Sequence, residues 1–222
     1  TGPGVALLNA VDFLSPFGPP VLQVGSEGRE QLNEYARLGL EAHLVVSVTR
    51  TPAESFNVTS RIPGRDDSLG PVVVMTPRSG WYHCAGERGG GIAAWLQVIR
   101  SMAVTEPERD VLFVATSGHE IGLPGMETFL RARPGIVRNA HGWVHFGANI
   151  GANLDAAPRY SASDEELGRL AEGALRESGV WSAEPSNVTV GAESSLVTSR
   201  GACCVAMIGG QYALFHREAD RW

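Results

Sequence analysis

The chain has 222 residues, 43% of them hydrophobic and 19% charged, which is enough apolar content for one sizeable core and too little length for two large domains. Its net charge of −6 comes without long basic runs, so neither nucleic acid nor an anionic membrane surface is expected as the main partner, because both are held through clustered Lys and Arg. No apolar run approaches the length of a bilayer span, and a soluble protein, cytoplasmic or secreted, is expected.

Residues 1 to 20 include SPFGPP, carry no periodic pattern and read as a loop. From there strand and helix signals alternate. PVLQV (20–24) reads as a strand, SEGREQLNEYARLGL (26–40) as a helix with its N-cap at Ser26, and AHLVVSVTR (42–50) as a second strand. AESFNVTSRIPG (53–64) is an extended run, DDSLG (66–70) a turn, and PVVVMTP (71–77) an apolar strand. GGGIAAWLQVIRSMA (89–103) places Ile92, Trp95, Leu96, Ile99 and Met102 at helical spacing, and RDVLFVATS (109–117) is a continuous apolar run of strand length. A helix at METFLRAR (126–133), a strand at GWVHFGA (142–148), a helix at SDEELGRLAEGALRESG (163–179) and a strand at CCVAMIGG (203–210) complete the series. The alternation implies an α/β fold, with a mixed, mostly parallel central sheet flanked by helices on both faces. Gly89-Gly90-Gly91 opens a helix but lacks the lysine of a phosphate loop and the spacing of a dinucleotide motif.

Three cysteines, Cys84, Cys203 and Cys204, form an odd set with two adjacent members, so a disulfide framework is not expected. Thr1 begins without a signal-peptide pattern, which leaves the compartment open. Asn57 and Asn187 each open an Asn-Val-Thr glycosylation tripeptide, a pattern too common to carry weight.

In such a sheet the ligand crevice lies at the carboxyl ends of the strands. PRSGWYHCAGER (77–88), SGHE (117–120) and GAN (147–149) occupy those loops, and FHRE (215–218) follows the last strand. Between them they supply zinc-capable side chains: His83, Glu87, His119, Glu120, His145 and His216. The helical zinc-protease signature is absent, because Leu123 stands where its second histidine is required. His145, within a strand, reads more simply as a core or edge histidine. His43 and His141 have no partner in view. Ser79 with His119 as nucleophile and base lacks the Gly-x-Ser-x-Gly elbow.

The order of these loops resembles the zinc exopeptidase superfamily of bacterial leucyl aminopeptidases, glutamate carboxypeptidase, the transferrin receptor ectodomain and glutaminyl cyclases, over about residues 55 to 222. Thr76-Pro77-Arg78-Ser79 stands where that family has His-x-Asp after a strand. CAGERGGGIAAWLQ takes the place of its Asp-bearing helix opening, and FVATSGHEIGLPG that of its Glu-Glu pair. His145-Phe146-Gly147 stands for its Asn-Leu-Asp, and Phe215-His216 for its late Tyr-His. Residues 1 to 50 then correspond to part of a protease-associated segment or an N-terminal extension. Residues 51 to 222 correspond to the catalytic-fold domain, a three-layer sandwich, with the family's final helix left open after Trp222.

The resemblance implies two metal positions. The private ligands of one fall on Pro77 and Gly147, which offer none. Those of the other fall on Glu87, Glu120 and His216, which implies one zinc ion at most, or none. His119 takes the place of the family's general base, a role histidine can serve near neutral pH. Arg78 and Arg88 adjoin the lost metal position, either to hold a carboxylate or oxyanion, or, for Arg88, as a structural partner of Glu87 or Glu120. Trp81 and Tyr82 line the cleft or cap the core. The implied activity is hydrolysis of a small peptide or amide substrate. The alternatives are a catalytically silent domain used for binding or assembly, and a glutaminyl cyclase-like aminoacyl transfer; oligomeric state is left open.

Overall fold

Runs of valine between turn residues build the centre of the molecule. The computed structural model describes residues 4–14, 18–179, 183–185 and 191–222, and the Asn187 tripeptide lies outside them. In chain order the elements are α1 (Arg29–Arg37), β1 (Val58–Ile62), β2 (Val72–Pro77), α2 (Ala85–Ala103), β3 (Val111–Thr116), α3 (Pro124–Arg131), α4 (Ile136–Asn139), β4 (Gly142–Phe146), β5 (Arg159–Ala162), α5 (Glu165–Glu177), β6 (Glu184–Pro185), α6 (Ala192–Thr198) and β7 (Cys204–Ile208). Among the described residues seven strands form one sheet, in the order β1-β3-β2-β4-β7-β5-β6. Strands β3, β2, β4 and β7 run parallel, while β1 joins β3 and β5 joins β7 antiparallel.

The central strands read as unbroken apolar runs because helices cover them on both sides. On one face Val73, Met75 and Val114 meet Met126, Phe129 and Leu130 of α3 and Val197 of α6. On the other, Val74, Phe113 and Ala115 meet Trp95 of α2, with Ile99 and Met102 beside it. Alternate residues of each strand therefore serve opposite layers. Two edge-on aromatic pairs tie the layers to the sheet, Trp95 with Phe113 at 6.0 Å and Phe129 with Trp143 at 6.5 Å. Each such buried side chain contributes about 1.5–3 kcal/mol.

Three expectations are corrected at the N-terminal side. Residues 20–24 and 42–50 form no strand; they are exposed coil, with Val45 at 90% and Val48 at 76% exposure. Apolar composition there has no neighbouring strand to pair with, and an unpaired strand is not stable alone. Ser26 does not cap the helix either. It lies in a short 3-10 turn, Ser26–Gly28, and Gly28 stands at the N-cap of α1 without a side-chain bond. The 53–64 run narrows to β1, and Asn57 before it is committed to the fold: Nδ2 donates to the Gly125 carbonyl at 2.7 Å and Oδ1 accepts from Ser117 N–H at 3.0 Å. Strands β5 and β6 and helix α6 were not readable as elements, since four residues of mixed polarity and a serine-rich turn carry no period.

Cys84, Cys203 and Cys204 are free thiols. Among the described residues no helix is long and apolar enough to cross a membrane.

Candidate functional site

Because β2, β3 and β4 are parallel, the loops that follow them open at the same edge of the sheet. After β3 the chain reverses at Gly118, whose φ is +77° and where a Cβ would lie 2.6 Å from Pro124. Only glycine makes that turn without strain. Ser79 in the loop after β2 holds it: Oγ accepts from His119 N–H at 3.0 Å and donates to Glu120 Oε2 at 2.8 Å. Ser79 thus engages the backbone of His119 rather than its ring, and no nucleophile–base pair forms between them.

Helix α2 begins four residues before the glycine run, so Glu87 and Arg88 fall in its first turn. Both are interior, 0% and 2% exposed. The Arg88 guanidinium lies between two carboxylates, with Nη2 2.7 Å from Glu87 Oε1 and 2.7 Å from Glu120 Oε1. Its Nε donates to the Ser79 carbonyl at 2.6 Å. The approach to Glu87 is a charge contact without hydrogen-bond alignment, since both Glu87 oxygens are buried with no hydrogen-bond partner among the described residues. His216 arrives with φ +60° and is laced to the N-terminal segment: its carbonyl accepts from Leu7 N–H at 3.1 Å and its Nδ1 donates to the Leu7 carbonyl at 2.6 Å. In the neutral ring Nε2 is then the lone-pair nitrogen, and it stands 3.3 Å from Glu87 Oε1.

A second cluster contains a residue that sequence reasoning missed. Gly191, at φ +94°, opens α6 against the His145 ring; a Cβ there would lie 2.3 Å from His145 Cε1. The helix carries Glu193, fully buried, onto His119, whose Nδ1 is 2.8 Å from Oε2 and 3.0 Å from Oε1. Thr116 Oγ1 donates to Oε1 at 3.0 Å, and His145 Nε2 is 3.7 Å from Oε2. Burial pushes the Glu193 pKa up, but the charge and hydrogen bond of His119 and the charge of His145 outweigh it and hold the value at about 2, below the ordinary 4.5. A carboxylate with a depressed pKa stabilises the fold fully above its unfolded value and loses that contribution as pH falls through the folded one. The stability of the chain is therefore expected to fall between pH 4.5 and about 2, and Glu193→Gln to flatten that limb. Urea midpoints across the window read it, and equal slopes for the two proteins would refute the pairing.

The same edge of the sheet holds a cleft of ≈ 710 Å³ lined by His119, His145, Asn149, Asn153, Arg159 and Tyr212 among others. Asn149 sits at φ +62° with its side-chain oxygen buried and without a hydrogen-bond partner among the described residues. Arg78 is not brought to the carboxylates: it is exposed and donates to the Phe56 carbonyl at 2.7 Å. His83 packs edge-on to Trp222 at 5.1 Å, and Trp81 donates to Asn9 at 3.0 Å.

No family model matches the chain, and no curated protein matches it. Solved structures do. BSAP, a zinc aminopeptidase from Bacillus subtilis, superposes with a TM-score of 0.63 at 15% identity, over 74% of this chain and 44% of that one. LapA aminopeptidase of Legionella pneumophila gives 0.61 at 13% identity, over 75% and 48%. The glutaminyl cyclase of an Acidobacteriales bacterium gives 0.59 at 16%, over 74% and 65%. This chain has the zinc exopeptidase fold. It spans less than half the length of either aminopeptidase.

Within the zinc exopeptidase fold, Glu87, Glu120 and His216 come together, but around a guanidinium. Zinc needs its nitrogen and oxygen donors at about 2.0–2.2 Å, whereas Arg88 Nη2 already stands 2.7 Å from two of the three side chains. Ser79 engages the second oxygen of Glu120. Among the described residues no group of three or more His, Cys, Asp or Glu is arranged to hold a metal ion. With Arg88 in this position the donor set does not fit zinc.

Proposed function

We propose that the chain is a peptidase-fold domain that binds a peptide or amide group in the cleft beside His119 and does not hydrolyse it through zinc. The observation that carries this reading is the buried Arg88 guanidinium, 2.7 Å from both Glu87 and Glu120. Its charge meets the carboxylates that a catalytic cation would need, and at 2% exposure it is withdrawn from any ligand. Recognition is supported by Asn149, which lines the cleft and carries an amide that can pair with a peptide group. The Asn153 and Arg159 side chains on the cleft wall add polar and cationic character.

A second reading, a hydrolase, is favoured by the His119–Glu193 pair. Glu193 accepts from Nδ1–H and so leaves Nε2 of the neutral ring free to take a proton from water, the division of labour seen wherever a carboxylate orients a catalytic histidine.

One experiment separates them. Dipeptide amides are titrated into the protein by calorimetry, and aminoacyl anilides are assayed for release, each with added zinc and with chelator. Binding that weakens in Asn149→Ala, without release in either condition, is the expected result. Zinc-stimulated release, lost in Glu120→Ala and His216→Ala, would sink the binding reading. Metal-independent release, lost in His119→Ala and Glu193→Gln, would put the hydrolase first.

A further inference from the structure

We infer that Arg88 is an internal replacement for a metal ion, and that its guanidinium keeps the Glu87, Glu120 and His216 centre closed to divalent cations. Its surroundings point to this role. Among the described residues, four buried polar atoms in this small volume lack hydrogen-bond partners: both oxygens of Glu87, Nε2 of His216 and Nη1 of Arg88. Orphaned buried acceptors are rare and ask for an explanation. Three of the four are electron-pair donors, and Glu120 Oε1 meets the same guanidinium nitrogen as Glu87 Oε1, each at 2.7 Å. His216 adds the geometry of a ligand held from behind, since its Nδ1–H is fixed to the Leu7 carbonyl at 2.6 Å. A second-sphere carbonyl that fixes the far nitrogen is how an imidazole is oriented towards a metal. Two carboxylates and one imidazole are a complete protein donor set for zinc with an open fourth position. What occupies the middle is a side chain rather than an ion.

The guanidinium is an imperfect substitute. It is planar and donates along fixed directions, so it aligns with Glu120 at 2.7 Å through a hydrogen bond but meets Glu87 by charge alone. An ion would draw all of these donors inward by charge, whereas around the arginine the Glu87 oxygens and His216 Nε2 have no hydrogen-bond partner among the described residues. Removing Arg88 is therefore expected to let Glu87, Glu120 and His216 close on one zinc ion in its place.

This inference deepens the binding reading above, but it can fail separately. Wild-type protein and Arg88→Ala are dialysed against zinc and washed, then analysed for bound metal, with thermal unfolding followed with and without zinc. The wild type is expected to retain no stoichiometric zinc and to show no shift. Arg88→Ala is expected to hold about one zinc per chain, with a raised unfolding temperature and an affinity that drops at least about a hundredfold when His216→Ala is added. Arg88→Gln, which keeps most of the volume and drops the charge, is the second variant, and both are refolded in zinc if they do not fold without it. Failure of both to gain zinc, or to fold even with it, overturns the inference, as does stoichiometric zinc in the wild type. Zinc in the wild type without anilide release would defeat this inference alone; release without zinc would defeat the binding reading alone.

Discussion

Replacing Arg88 with methionine is expected to lower the unfolding free energy by about 3–5 kcal/mol, the cost of leaving buried charge uncompensated. Glu87 and Glu120 are 0% and 4% exposed, and both approach the same guanidinium nitrogen. Without it, two carboxylates would share a volume from which water is excluded, with the Ser79 hydroxyl and the His216 ring beside them. In a domain of this size the unfolding temperature would drop by roughly 10 °C. The triple variant Glu87→Gln, Arg88→Met, Glu120→Gln is expected to recover most of the loss, because the penalty lies in unpaired charge rather than in missing packing. Urea unfolding of the wild type, the single and the triple variant measures both quantities. If the triple variant is no more stable than the single one, the network is not held together by charge compensation. The outcome bears on function, because a centre stabilised by its own arginine has no need of a metal to fold.

The central layers were legible because burial on both faces leaves a mark in one dimension. The runs at 71–77 and 109–117 are apolar without alternation, and the helix at 89–103 was readable from Trp95, Ile99 and Met102, which face the sheet, although Leu96 of the same spacing is exposed. Residues 20–24 and 42–50 carry the same composition yet form no strand, for a strand is defined by its partner and composition does not report one. The functional side chains divide the same way. The juxtaposition of Glu87, Glu120 and His216 followed from the order of loops in a resembling family. For Arg88 the sequence left two courses open, holding a ligand or pairing with Glu87 or Glu120, since a guanidinium at the start of a helix can turn outwards or inwards; packing turns it inwards, to both carboxylates. Glu193 had no signal at all: it is one acid in a short serine-rich segment, made significant by Gly191 turning α6 against the His145 ring. His145 reads from its strand as a core or edge histidine; at 1% exposure it is in the core, and its neighbourhood with Glu193 is not visible from a strand pattern.

Asp220→Ala is expected to cost about 3 kcal/mol, the second large effect, because one buried carboxylate satisfies several donors at once. Oδ1 accepts from Gly86 N–H at 2.7 Å and from the Tyr212 hydroxyl at 2.9 Å, and Oδ2 accepts from Glu87 N–H at 3.0 Å. These backbone groups open α2, whose own N-cap, Cys84, makes no side-chain bond. An anion at that position also meets the positive end of the helix dipole. A residue 134 positions away in sequence from Gly86 thus does the work of a local cap, which is why no capping motif was readable before α2. Asp220→Asn keeps one acceptor and is expected to lose about half as much. Tyr212 reports on the same contact: burial first, then the bond and charge of Asp220, push its hydroxyl up to about 12. Removing the carboxylate leaves the burial and deletes the rest, so in Asp220→Ala the tyrosine is expected to ionise at lower pH, measurable by phenolate absorbance. Because Asp220 seats Glu87, and Glu87 faces Arg88, the loss in an Asp220→Ala, Arg88→Met double variant is expected to fall short of the sum of the singles. A strictly additive pair would mean that the cap and the guanidinium network are independent, and that the first turn of α2 does not set the geometry of the centre.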